Sequence, residues 1–433
     1  MKKLLALSLL ACAALPAQQI PAATELPGSP FVIKQTWIVG GIGPWDYLTM
    51  DPGTERLYIA HGHAVQVVDV TTGAVTGQIA GLREAHAIAL DDTGEFGYIS
   101  DGPASQVKVF DRRSFAVVAS IPTGPNPRAL VLEPQSRLLF AICTNPLAET
   151  PPQPSASQAK SFPSATTRSS PQNSNPQPVP DREIKTSITV IDVQTRQPLA
   201  EILMPGKLGF AQSDGNGQVF ILIVNRNQVA RLDAQAIASL LRRRSDATAP
   251  TPPNPDQPSP AIETAPPMVL DWSHESRPAQ SSENSLRLFA LGPDCLEARS
   301  LAVDGKHLRL FAACNNMKMT VLNAGTGEVV ASLPIGPGVE TIGYDPGRGL
   351  IYTANGGANG SLTIIHQDVT DTYAEIQNLP TRQRARTLAV NQDSGQVYLV
   401  TDLLGMNLAQ PGGIGTLKTA SVNGSFQVLV IGN

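Results

Sequence analysis

The chain has 433 residues, of which 16% are charged, and a formal net charge of −4. That balance argues against a nucleic-acid or anionic-membrane surface held by bulk charge, and leaves room only for local basic patches. Glycine (36) and proline (37) are both abundant, as expected where many short strands are joined by tight turns.

In chain order, the first element is a targeting segment. Lys2 and Lys3 form a basic n-region, Leu4 to Leu10 an apolar h-region, and Ala11 to Ala17 a small-residue processing zone, which together predict a signal peptide over residues 1–17. The apolar stretch is too short for a transmembrane helix. Leu9-Leu10-Ala11-Cys12 also resembles a bacterial lipobox, so cleavage to a soluble protein and lipidation at Cys12 both stand as expectations. Either one makes the protein exported, periplasmic or extracellular.

From there one unit recurs: a short strand, an acidic turn, an apolar strand with Tyr or Phe, a small polar turn, and an alternating strand often ending in Asp. Its first copy reads Trp45-Asp46-Tyr47-Leu48-Thr49-Met50-Asp51, Leu57-Tyr58-Ile59-Ala60-His61-Gly62 and Val65-Gln66-Val67-Val68-Asp69. One aromatic marks the second strand of each copy: Tyr58, Tyr98, Phe140, Phe220, Phe311, Tyr352 and Tyr398, spaced by 40, 42, 80, 91, 41 and 46 residues. The two long spacings contain low-complexity inserts at 146–181, in the third copy, and 245–284, around the fourth and fifth. Rich in Pro and Ser, they cannot bury enough apolar surface to offset chain entropy and are expected to be disordered.

Seven copies of three or four strands, with helical periodicity only near Gln235 to Arg243, predict an all-β fold, a single seven-bladed β-propeller over residues 31–433. A β-sandwich explains neither the even copies nor the ends of the chain. The last copy lacks its outer strand, and Phe31 to Val39 supplies one. Pairing the N- and C-terminal strands in one blade removes two sheet edges and closes the ring.

The segments Tyr58-Ile59-Ala60-His61, Tyr98-Ile99-Ser100-Asp101, Phe311-Ala312-Ala313-Cys314-Asn315 and Tyr352-Thr353-Ala354-Asn355 resemble the YVTN-type β-propeller repeat family. The resemblance spans about residues 38–432 outside the inserts. Trp45 to Thr49, Lys318 to Ala324, Pro380-Thr381 and Ala385 to Ala389 look closer to the YncE-like exported bacterial propellers, a group mostly without assigned activity. The resemblance implies the fold strongly and function weakly.

In a propeller the innermost strand of each blade lines the channel. One equivalent position ahead of its core segment holds Asp46, His86, Arg128, Gly209, Arg299, Glu340 and Arg386. Six of the seven are ionisable, an arrangement suited to an anion or zwitterion, with Arg able to grip carboxylate or phosphate. Such charges can equally pair with one another and hold water. Against the family pattern Asp46, His86 and Arg386 match, whereas Arg128, Gly209 and Arg299 depart.

His61 and His63 share this face and are weak metal candidates with Asp46 and His86. Cys295 precedes the first strand of blade 5 and Cys314 ends the second, which places them side by side in an antiparallel pair and predicts a disulfide. Cys143 is left over as a buried thiol.

These features predict a monomeric binding or interaction module with a protein or small-molecule ligand at the channel face. They contain no cofactor motif and no catalytic residue. The alternatives are a lactonase- or hydrolase-type enzyme using a metal at the mouth, and single-stranded DNA binding. The second needs an aromatic and basic platform that a chain with three Trp does not suggest. An electron-transfer partnership is a further possibility, with no cofactor signature in this chain to carry it.

Overall fold

The computed structural model describes residues 29–144, 184–247, 267–273, 285–368, 371–407 and 418–433. Seven sheets carry the repeats, one per blade, with their four blade strands antiparallel. Their inner strands are Trp45–Asp51, Ala85–Leu90, Pro127–Glu133, Leu208–Ser213, Ala298–Asp304, Val339–Asp345 and Thr387–Asn391. Each contacts the next, and the seventh contacts the first, so the ring is closed.

Closure occurs as the leftover strand predicts. Val32–Ile38 pairs antiparallel with Gln427–Gly432, making the seventh sheet from both ends of the chain. The pairing satisfies two edges that would otherwise stand open.

The packing shows why no blade is stable alone. Among the described residues the buried apolar side chains fall into seven clusters, and each cluster lies between two neighbouring blades. A strand alternates its side chains between two seams. Leu57 and Ile59 enter the seam with blade 7, while Tyr58 and Ala60 enter the seam with blade 2. Second strands are therefore apolar on both faces, and their aromatics Tyr58, Phe140, Phe311, Tyr352 and Tyr398 are fully buried. Each such ring contributes about 1.5–3 kcal/mol by leaving water.

Two features correct the sequence reading. The stretch 245–284 is not wholly loop: Met268–Asp271 is a strand that pairs parallel with Gln197–Pro205 as a fifth strand of blade 3. Leu286–Ala290 then returns to complete blade 4, so this insert falls within blade 4. The helix predicted near Gln235 runs from Ala234 to Ala247 and buries Ile237, Ala238 and Leu241 against the blade 3–4 seam. Blade 7 also carries a hairpin, Leu404–Asn407 with Lys418–Ser421, that the repeat pattern did not anticipate. The leader 1–17 and the insert 146–181 lie outside the described residues.

Candidate functional site

The seven positions singled out by register share a backbone feature. In six blades the ladder between the inner and second strands shifts where these residues stand: between Trp45 and Leu48, Ala85 and Ile88, Pro127 and Ala129, Leu208 and Ala211, Ala298 and Ser300, and Val339 and Thr341. Asp46, His86, Arg128, Gly209, Arg299 and Glu340 sit within those bulges. Arg386 directly precedes its strand. A bulge re-aims a side chain out of the pleat, and here it turns the ring of residues toward the channel mouth.

Loops leading into each blade are fastened to the end of that blade's second strand, which keeps the mouth rigid. Asp101 accepts hydrogen bonds from the backbone N–H groups of Arg83 and Glu84, each at 3.0 Å. Asn225 accepts one from Lys207 N at 2.7 Å, and Thr401 donates to the Gln383 carbonyl at 2.8 Å. In blade 5 the link is covalent: Cys295 and Cys314 form the predicted disulfide, with Cα atoms 5.3 Å apart. The third cysteine, Cys143, is fully buried and unbridged. Burial, helped by the Glu201 charge, pushes its thiol up to about 12, so it is not a poised nucleophile.

At the mouth, Asp46 of blade 1 is shared by side chains of blades 2 and 3. His86 Nδ1 lies 2.8 Å from its Oδ2, and Arg128 Nη2 lies 3.0 Å from the same oxygen. His86 is only 1% exposed, and its Nε2 is buried without a hydrogen-bond partner. The ring fits there because residue 102 is glycine; a Cβ at that position would come within 2.6 Å of Nε2.

Arg386 is placed differently. Its guanidinium lies over the Trp45 ring at 5.8 Å, beside Arg384 at 4.7 Å. Arg384 is also paired with Asp402 at 2.9 Å, but among the described residues Arg386 has no carboxylate within ion-pair distance, and its Nε is buried unpartnered. Glu340 likewise has no ion pair there. Together with Glu84, Trp45, Asp46, His86 and Arg128, these side chains line a cavity of about 110 Å³. Arg299 does not line this cavity and donates to Glu297 at 3.4 Å, and Gly209 contributes no side chain.

The floor of the mouth comes from the next residue in each bulge. Tyr47 from blade 1 meets Phe210 from blade 4 across the channel, with ring centroids 5.3 Å apart. Beneath them the inner strands enclose a chamber of about 400 Å³. Burial, then the charges of Asp46 and Glu340, push the Tyr47 phenol far above its ordinary range, against the opposing pull of Arg128 and Arg299. The phenol therefore stays a neutral hydrogen-bond donor.

His61 is fixed locally, with Nε2 3.2 Å from the Gly43 carbonyl and Nδ1 3.0 Å from the Gln66 side chain. Its ring stacks on Phe426 at 4.0 Å. His63 is bonded through Nδ1 to the Arg83 carbonyl. Among the described residues no group of three His, Cys, Asp or Glu side chains converges as a metal site.

Trp45, Tyr47 and Glu84 were not singled out from the sequence. Counting one residue further in the register would have found Tyr47 and Phe210 as the aromatic exceptions in a column otherwise holding Ala87, Ala129, Ser300, Thr341 and Thr387.

No family model and no curated protein matches the chain. Solved structures do match. A chain of the mitotic checkpoint complex is similar over 90% of this chain and 96% of its own, at 12% identity and TM-score 0.55. A hydrazine synthase chain of Kuenenia stuttgartiensis is similar over 85% and 95%, at 16% identity and TM-score 0.56. A structure of U3-55K is similar over 90% and 97%, at 8% identity and TM-score 0.58. At such identities the likeness establishes the propeller fold and nothing about chemistry.

Proposed function

We propose that the protein is an exported binding module that holds a small polar ligand at the mouth of its channel. The observation that carries this reading is the cavity lined by Asp46, His86, Arg128, Glu340 and Arg386, where buried nitrogens lack partners although almost every buried polar group in a folded protein finds one. Bulges recurring at the same place in six blades aim Asp46, His86, Arg128 and Glu340. Arg128 and Arg386 supply forked donors, and Asp46 and Glu340 acceptors. No nucleophile with an adjacent base stands in this group, which favours binding over covalent chemistry.

Export belongs to the same reading, together with membership of the YVTN-type repeat family. The basic-then-apolar leader and the Cys295–Cys314 disulfide, which persists in oxidising compartments, support it. Native mass spectrometry of the chain purified from its exported fraction tests the proposal. A co-purifying small molecule, lost when Asp46 and His86 are both changed to Ala, is the expected result. A bare mass from the unaltered chain contradicts a retained ligand, and recovery of the full-length chain only in the cytoplasm contradicts export.

A further inference from the structure

Glu340 and Arg386 occupy the equivalent position in adjacent blades and face the same cavity of about 110 Å³, yet they do not pair with each other. Elsewhere among the described residues opposite charges do meet, as in Arg309–Asp371 at 2.5 Å and Arg348–Asp345 at 2.9 Å. Two contacts fix where these residues stand. Thr341, next to Glu340, donates its hydroxyl to the Arg386 carbonyl at 2.7 Å and accepts from Leu388 N at 3.0 Å, which locks the two backbones. The Arg386 guanidinium is meanwhile drawn over Trp45, a cation–π contact that competes with an ion pair.

The result is a half-buried cation and a half-buried anion on one small cavity, each without a partner of opposite sign. Buried donors accompany the cation: Trp45 Nε1 and Arg386 Nε, neither of which has an acceptor. The carboxylates of Glu84 and Asp46 line the same cavity.

From this separation we infer that the ligand is a small zwitterion bearing one ammonium and one carboxylate, such as a free α-amino acid. The carboxylate sits on Arg386, and the ammonium sits on Glu340. A simple anion would satisfy Arg386 but bring a like charge to Glu340 and Asp46. A simple cation would do the reverse at Arg386. A zwitterion satisfies both, and the size of the cavity suits a ligand of few heavy atoms, since one water occupies ≈ 30 Å³ of liquid.

The inference rests on the mouth being a binding site, and its test separates the two. Titration calorimetry on the full chain would compare glycine and L-alanine with acetate, methylammonium and inorganic phosphate. Saturable binding of an amino acid is expected, with acetate and methylammonium each roughly tenfold or more weaker, as loss of a charge-assisted contact implies. Glu340→Gln and Arg386→Gln should each weaken amino-acid binding by a similar factor while leaving the melting temperature unchanged. Acetate or phosphate binding as tightly as glycine, unaffected by Glu340→Gln, would overturn the zwitterion and leave an anion site. If none of the five probes binds, the zwitterion is overturned, and the mouth reading falls as well only if the native mass spectrum is bare.

Discussion

The two ends of each inner strand carry polar side chains that are treated in opposite ways. At the end away from the mouth stand Asp51, Asp91, Glu133, Asp214, Asp304, Asp345 and Asn391, and their acceptors are used. Glu133 accepts from Gln135 N, Ser136 N and, across the blade boundary, Gly217 N. Asp304 accepts from Lys306 N, His307 N, His307 Nδ1 and Gln367 Nε2 of the next blade. Arg112 joins Asp51 of blade 1 to Asp91 of its own blade. At the mouth, by contrast, Asp46 is shared by His86 and Arg128 while Glu340 and Arg386 stay unpaired. The same repeat thus puts a ring of satisfied acceptors at one end, whereas at the other end Glu340 and Arg386 have no ion pair among the described residues.

That contrast can be broken most severely at Arg112. It is 6% exposed, and its removal leaves Asp51 and Asp91 without their counter-charge. Arg112→Ala is expected to cost about 3–5 kcal/mol, the usual cost of breaking a buried pair, measured as the shift in urea midpoint. A loss under about 1 kcal/mol would mean that this pairing is as dispensable as a surface pair.

Next in size is the disulfide, which fastens one approach loop covalently where blade 2 uses the Asp101 carboxylate. Its half-cystines are 19 residues apart, and the chain-entropy account puts the contribution near ~3 kcal/mol. Changing Cys295 and Cys314 together to Ala should lower stability by that order and abolish its dependence on reductant. An unchanged melting curve would contradict the bridge.

A sharper probe of the mouth is Gly102→Ala. The added methyl meets His86 Nε2 and Asn126 Oδ1 at under 3 Å, so about 1–3 kcal/mol is expected from overpacking. His86 should also lose its bond to Asp46, visible as a changed imidazole resonance. Ligand binding and stability falling together would show that His86 is held in place by this glycine.

The smallest effect is a pH dependence at Asp304. Burial works to raise its carboxyl, but the hydrogen bonds from His307, Tyr344 and Gln367 outweigh it and hold the group below its ordinary 3.8. A depressed carboxyl stabilises the fold fully above its unfolded value and loses that contribution as pH falls through the folded one. Unfolding midpoints should therefore decline on acidification below about pH 4, and Asp304→Asn should flatten that limb. An unaltered limb would assign acid sensitivity elsewhere.

Much of the architecture was legible because the repeat is regular. The seven strand aromatics fall at the same seam position, and the bulge recurs at the same place in six blades, so counting along each copy finds equivalent positions. Pairing was not legible, since it depends on how side chains from three blades meet: nothing local marks Asp46 as the acceptor for both His86 and Arg128, or Arg299 as turned toward Glu297. Met268–Asp271 was hidden for another reason. It is four residues long, lies in a Pro-rich stretch, and pairs with a blade distant in sequence, where neither periodicity nor neighbouring turns give a signal.

The central claim is that the mouth charges serve a ligand rather than the fold, and the unfolding free energy of the double variant Glu340→Gln with Arg386→Gln tests it most directly. Groups kept for binding are commonly neutral or costly to stability, so the account predicts a value unchanged or raised by up to about 1 kcal/mol. A loss of more than about 2 kcal/mol, the size expected when a hydrogen-bonded charged group is removed, would make these charges part of the scaffold and contradict the account.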